Sequence, residues 1–385
     1  MTFDFKFMIR LFLKSLFATR GTNARLTPRR IIILLVLCPS FVLIELMTWL
    51  GFVFDEILFR GYRSLNVNRP VFIVGPPRSG TTFMHRLLAG DKDNFTAMKL
   101  WEIIFAPSIT QKKFWLCIGR IDRMFGRPLE RLVLYIERLW LHDLGKKHSS
   151  GLFKHEEDEF ILIHIFATVF VGVVFPFAED LIPLVYFDQE LPPRRRARIM
   201  SFYSRCVKAH MYVFGSGKRY LSKNPSFSAK VESLNETFPD AQIICMVRSP
   251  LNVLPSVLSL LSHFYGAFMS PLDKYPQRAF TIDLIKHWYN HAVASTDALP
   301  VEHRKIVTYD RLVDNPGTCA QGLYQHFGLQ ISPQFQKLLD TETEKSRTYR
   351  SAHSYSVENT GLTKEQIILD YQDIFDRFGF EKYTN

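Results

Sequence analysis

The sequence predicts an α/β fold, a parallel sheet flanked by helices, preceded by an N-terminal membrane-associated helical segment. Three observations carry this expectation. Short apolar runs, Val71–Val74 first among them, are bounded by Pro, Gly or charged residues, the pattern of strands buried on both faces. That first run leads into a glycine-bearing loop and then a helical run, Phe83 to Leu88. Residues 31–54 form an apolar stretch whose only charge is Glu45. Composition agrees with a folded body: 385 residues, 47% hydrophobic and 22% charged, with 20 Pro and 19 Gly in no repeat, exclude a disordered, collagenous or solenoid chain. No Gly/Ser-rich or Pro-rich linker interrupts residues 65–385. The expected organisation is therefore a basic, hydrophobic membrane-anchoring segment over residues 1–64 and one domain over residues 65–385. The five cysteines are widely spaced and never in a C-x-x-C pair, which points to neither a zinc site nor a disulfide framework and favours a reducing compartment.

The net charge of +11 is unevenly placed: residues 1–30 hold seven basic residues against Asp4, a local charge of +6. As a helix the apolar stretch would reach about 36 Å, enough to cross a hydrocarbon core of about 30 Å. It is too long for a signal-peptide core. Basic residues before it favour a cytoplasmic N-terminus, which would put the body on the far side if the stretch crosses. Pro39, Glu45, and the later Arg60, Arg63 and Arg69 argue against crossing. Phe3 to Phe17 alternates Phe, Ile and Leu with Lys and Arg, as an interfacial helix does. Three arrangements stay open: a monotopic or hairpin anchor, a single span, and a buried helical hairpin of a soluble protein. The cytoplasmic face is favoured over a lumenal single-pass arrangement.

Gly75-Pro-Pro-Arg-Ser-Gly-Thr-Thr82 links the first strand to its helix. Unpaired amides of a first helical turn and the helix dipole make such a junction an anion cradle. The loop is Walker A-like, but Thr81 follows Gly80 where a nucleoside-triphosphate enzyme carries Lys. Its cation is Arg78, whose guanidinium can fork onto two oxygens of a phosphate or sulfate. Arg219 to Ser222 reads as a strand ending at Lys223-Asn224-Pro225, Gln242–Val247 as one ending at Arg248-Ser249-Pro250, and Lys305 to Thr308 as one ending at Tyr309. Ligands of doubly wound parallel sheets bind outside the carboxyl ends of strands, so these residues describe one crevice for an anion in a P-loop-type parallel sheet. Ser256, eight residues after Arg248, lies about two helical turns beyond it and in reach of the same phosphate.

These residues look like those of a 3′-phosphoadenosine 5′-phosphosulfate (PAPS)-dependent sulfotransferase. GPPRSGTT resembles the loop that binds the 5′-phosphosulfate, and Arg248 with Ser256 resembles the 3′-phosphate motif of that family. The likeness extends through FPDAQIICMVRSPLNVLPS, TYDRLVDNP and HSYSVENTGLTKEQI, covering about residues 65–380. With Arg in the loop, the chain is most similar to the bacterial-type branch that also resembles tyrosylprotein sulfotransferases. The resemblance implies an α/β fold and a cofactor-binding set of Arg78, Ser79, Gly80, Thr81, Thr82, Arg248 and Ser256. It also implies an adenine-side or 3′-phosphate-side contact from Tyr309 and a loop contact near Arg350, Ser351 and His353. Arg78 and Lys223 would contact the sulfuryl group and bridging oxygen, and Glu102 in LWEIIFAP would be the general base. Ser249 replaces the usual Asp after the 3′-phosphate Arg, and no His stands where the soluble enzymes carry their catalytic one.

Sulfuryl transfer, like phosphoryl transfer, requires alignment of two oxygens and stabilisation of charge between them. The leaving group of PAPS is already a phosphate, so no metal is expected. Glu102, flanked in sequence by Trp101 and Phe105, is expected to have a raised pKa suited to taking the acceptor's proton. A structural role for Glu102 and a role for His148 as base stay open. The run Glu156-Glu157-Asp158-Glu159 reads as the first turns of a helix. His287 and His291 read as structural, and Arg194 to Arg198 as a solvated helix start, with no nucleic-acid partner. The expected acceptor is a hydroxyl, of a lipid or other amphiphile at the membrane. A P-loop kinase, and a membrane-anchored nucleotide-binding protein without catalysis, remain the alternatives. Nothing in the sequence sets the oligomeric state.

Overall fold

The protein is described from a computed structural model, covering residues 3–141, 151–348, 357 and 360–381. Five parallel strands form its centre: β1 (Val71–Val74), β2 (Phe95–Thr96), β3 (Arg219–Lys223), β4 (Gln242–Val247) and β5 (Arg304–Thr308), in the order β2-β3-β1-β4-β5. Every residue of β1 and β4 is buried, as expected of strands covered by helices on both faces. The register pairs Ile73 with Lys223 on one side of β1 and with Ile244 on the other. Lys223 therefore sits beside the end of β1, where the loop departs. The four strands expected from the sequence are all present within a residue at each end, and β2 is an addition at the edge.

Helices α1 (Phe5–Phe17) and α2 (Pro28–Leu58) precede the sheet, and α3 (Thr81–Ala89) follows the loop. After β2 come α4 (Leu100–Phe105), α5 (Ile109–Met124) and α6 (Pro128–Leu141). Phe3, Phe7, Leu11 and Phe52 join the same buried cluster as Phe72, Val74, Ile243 and Val247 of the sheet. One face of α2 is fixed to the body by buried polar groups at three heights. Arg30 donates to the carbonyls of Phe268 and Val174 at 3.0 Å each. Glu45 meets His164 Nδ1 at 2.6 Å, and Asp55 accepts from the amides of Ile109 and Thr110 at 2.8 and 2.7 Å. The opposite face carries Leu35, Leu43, Leu46, Leu50, Val53 and Ile57, all exposed. Phe5, Ile9, Leu13 and Leu16 make a similar exposed stripe on α1.

Candidate active site

Two glycines shape the loop between β1 and α3. Gly75 has φ +124°, and a Cβ there would stand 2.1 Å from the Met246 carbonyl oxygen, so only glycine lets the loop cross β4 this closely. Gly80 has φ +92°, and its missing Cβ leaves room for the Tyr309 ring, which it would approach to 2.7 Å. Between them Arg78 takes φ +67°, a left-handed conformation that a bulky L residue adopts only under constraint. Ser79 supplies the constraint: its hydroxyl donates to the Pro76 carbonyl at 2.6 Å and its amide to the same oxygen at 3.3 Å. Ser79 is thus turned into the loop and fully buried. Gly80 caps α3, leaving the amides of Thr81, Thr82 and Phe83 among those without an intrahelical acceptor.

The guanidinium of Arg78 donates through Nε to Ser256 Oγ at 2.9 Å. Arg248 donates through Nη1 to the Arg78 carbonyl at 3.2 Å and lies 4.0 Å from the centre of the Tyr309 ring. Tyr289 donates its hydroxyl to the Arg248 carbonyl, steadying the strand end. Arg78, Gly80, Arg248, Ser256 and Tyr309 therefore converge, although they come from four segments of the chain. Ser256 accepts from Arg78, and Arg248 reaches the loop backbone. Lys223 is almost fully buried and donates to Glu157 Oε1 at 2.8 Å. Arg350 and His148 lie outside the described residues.

Glu102 departs from what its sequence neighbours imply. Its Oε1 accepts from the Lys99 amide at 3.1 Å, and its Oε2 meets His210 Nδ1 at 2.8 Å with Lys112 Nζ 3.9 Å away. Burial by itself would raise its pKa, but His210 first and then Lys112 and the Lys99 amide outweigh it and hold the carboxyl below its ordinary 4.5. The expectation of a raised pKa among aromatic side chains is corrected accordingly. Both oxygens of Glu102 are already occupied, and the residue is only 2% exposed.

The acidic run is also different from its sequence reading. A 3-10 helix, Asp158–Ile165, begins there, but Glu157, Asp158 and Glu159 each take their own set of donors from elsewhere in the chain. Asp158 accepts from Ser222, Asn224, Tyr203 and Tyr220, and Glu159 accepts from Lys230 Nζ at 2.8 Å and Thr168 Oγ1 at 2.7 Å. Burial raises the pKa of both, opposed by these donors. Glu157 alone keeps an accessible side chain, 21% exposed against 0% for Glu159. A second group missed in the sequence is His85 in α3, which is 1% exposed with no hydrogen-bond partner among the described residues on either ring nitrogen. Burial first, then the charges of Lys223, His155 and Arg86, keep it far below 6.5 and therefore neutral. Its position four residues after Thr81, on one helical face with the head of the cradle, was the only signal for it.

The arrangement, cations and helix amides at the carboxyl ends of parallel strands, can hold and polarise an oxyanion group. Comparison with known proteins agrees. Residues 70–333 match the family model described as "Sulfotransferase family". The chain is 26% identical over 325 residues to omega-hydroxy-beta-dihydromenaquinone-9 sulfotransferase Stf3 of Mycobacterium bovis and of Mycobacterium tuberculosis, covering 82% of this chain and 76% of theirs. In fold it is similar to the crystal structure of sulfotransferase STF1 from Mycobacterium tuberculosis, with a TM-score of 0.70 at 18% identity over 96% of this chain and 92% of that one. It is likewise similar to STF9 from Mycobacterium avium, with a TM-score of 0.69 at 17% identity over 86% and 82%. A loop built round Arg78, strand ends that deliver Lys223 and Arg248, and a family match across the whole sheet lead to one conclusion: the chain belongs to the sulfotransferase family.

Proposed function

We propose that this sulfotransferase takes its sulfuryl group from PAPS and transfers it to the hydroxyl of a lipid or similar amphiphile. The observation that carries the donor assignment is the joining of two anion-binding elements: Arg78 of the loop bonds Ser256, and Arg248 bonds the Arg78 carbonyl. A ligand with phosphate groups at both its 5′ and 3′ positions suits such a pair. In this reading Arg78, Gly80, Thr81 and Thr82 hold the 5′-phosphosulfate, while Arg248 and Ser256 hold the 3′-phosphate. Ser79 keeps the loop closed and Tyr309 provides a flat face on the nucleoside side; a nucleotide contact from Arg350 is proposed on the family resemblance alone. Lys223 carries positive charge toward the oxygen that leaves sulfur, where negative charge builds as the bond breaks.

The test is calorimetric binding of PAP, the desulfated donor product. Arg248→Ala is expected to weaken PAP binding about tenfold to a hundredfold, the loss of a charge-assisted hydrogen-bonding group worth about 1.5–3 kcal/mol. Equal affinity in the variant and the wild type would remove Arg248 from the donor site, and a wild type that binds no PAP would end the PAPS reading. ATP with Mg2+ displacing PAP would instead favour a kinase.

The lipid acceptor rests on the relative named for a menaquinone derivative and on the apolar outer faces of α1 and α2. α2 is 31 residues long and contains an 18-residue window of mean hydropathy 2.6, enough by length and composition to cross a membrane. Its anchors at Arg30, Glu45 and Asp55 tie it to the body from end to end, which favours a helix lying in the membrane plane. The residue 1–64 segment then binds by its apolar stripe and by the excess of basic residues before position 31. An in-plane helix needs no crossing, so the body stays with the basic residues on the cytoplasmic face. Vesicle flotation checks this: the protein is expected to float with anionic vesicles, and Leu13→Asp with Leu46→Asp is expected to release at least half of it. A doubly substituted protein that still floats fully would refute the in-plane face.

A further inference from the structure

Sulfuryl transfer to a hydroxyl needs a group that takes the hydroxyl's proton, and Glu102 is poorly suited because both its oxygens are engaged in a closed interior. Among the described residues, Glu157 is bonded to Lys223, His85 feels its charge, and His155 lies next to His85. His85 is sealed from the crevice at 1% exposure, and burial makes it a weak base. His155 uses Nδ1 on the Ala97 carbonyl at 3.0 Å, and its ring centre is 6.1 Å from that of His85. Glu157 combines the two properties a proton acceptor requires, contact with the reacting centre and an open approach. Its Oε1 is 2.8 Å from Lys223 Nζ, and about a fifth of its side chain is exposed.

We infer that Glu157 is the proton acceptor of the reaction, positioned by its hydrogen bond from Lys223; the assignment rests on the sulfuryl-transfer reading given above. Lys223 has three N–H donors, so it can hold Glu157 with one and face the leaving oxygen with another. The acceptor oxygen forms its bond to sulfur. The bond from sulfur to the donor's phosphate oxygen breaks with its electron pair passing to that phosphate, and the hydroxyl proton passes to a Glu157 carboxylate oxygen. One lysine thereby links the group receiving the proton to the group receiving the electrons.

The experiment uses the full chain, radiolabelled PAPS at saturation and a bacterial membrane lipid extract as acceptor, read as label entering the lipid fraction in a single turnover, with PAP affinity measured alongside. Glu157→Gln is expected to slow transfer by about 10²–10⁴-fold while PAP affinity stays within about threefold. Glu157→Asp, which keeps the carboxylate, is expected to recover part of the rate and also guards against a folding defect in the Gln variant. Transfer by Glu157→Gln within about threefold of wild type overturns the assignment, as does a loss confined to PAP affinity or a fall seen only in Glu102→Gln. A wild type that binds no PAP removes the sulfuryl-transfer reading itself. A wild type that binds PAP but labels no lipid removes the lipid acceptor and this assignment with it.

Discussion

Lys223→Ala is expected to slow sulfuryl transfer by about 10²–10³-fold, the cost of removing one preorganised donor from a site where charge develops, while the protein stays folded and keeps its affinity for PAP. The lysine ends β3 beside the last residues of β1, at the root of the loop. Its partner Glu157 is open enough to be hydrated when the lysine is gone, so no buried charge is stranded. The effect should therefore fall on rate. Single-turnover transfer at saturating donor, together with PAP calorimetry, measures it. Transfer within about threefold of wild type would take Lys223 out of the reaction, and a PAP affinity reduced by the full factor would make it a donor-binding residue instead.

Lys230→Ala is expected to have the opposite profile, with a loss of about 3–5 kcal/mol of folding stability, the usual cost of breaking a buried ion pair by removing one partner. Lys230 and Glu159 are 1% and 0% exposed, and Lys230 Nζ also lies 5.1 Å from the Phe187 ring centre and 5.6 Å from that of Phe227. Without the lysine, Glu159 keeps, among the described residues, only the Thr168 hydroxyl and must either take up a proton or open the core. Urea unfolding of the two lysine variants makes the comparison direct. A Lys230→Ala protein within about 1 kcal/mol of wild type would mean that the pair contributes little net stability.

Much of this fold is written locally. Strands covered on both faces must be continuous apolar runs, which is why β1, β3, β4 and β5 could be read from the chain. β2 could not, because two residues at a sheet edge carry no period. The loop was equally legible, since the positive φ values at Gly75 and Gly80 demand glycine whatever lies around them. Carboxylates were not. Glu102 looked desolvated by Trp101 and Phe105, but its actual neighbours, Lys112 and His210, come from α5 and from the helix Pro193–Phe214. Glu157 meets a lysine 66 positions away, and Asp158 gathers donors from that helix, β3 and the residue after it. A run of acids reads as a helix start until distant lysines, tyrosines and amides supply its partners.

The left-handed backbone at Arg78 has a further consequence. A side chain held in that conformation costs about 1–2 kcal/mol that glycine would not incur, so Arg78→Gly, unlike replacement by any other residue, would relieve the strain. Stability and activity then pull in opposite directions at this position. On the donor-binding role proposed for Arg78, selection for thermal robustness alone would favour glycine there, and a library ranked by melting temperature would reward the loss of that guanidinium.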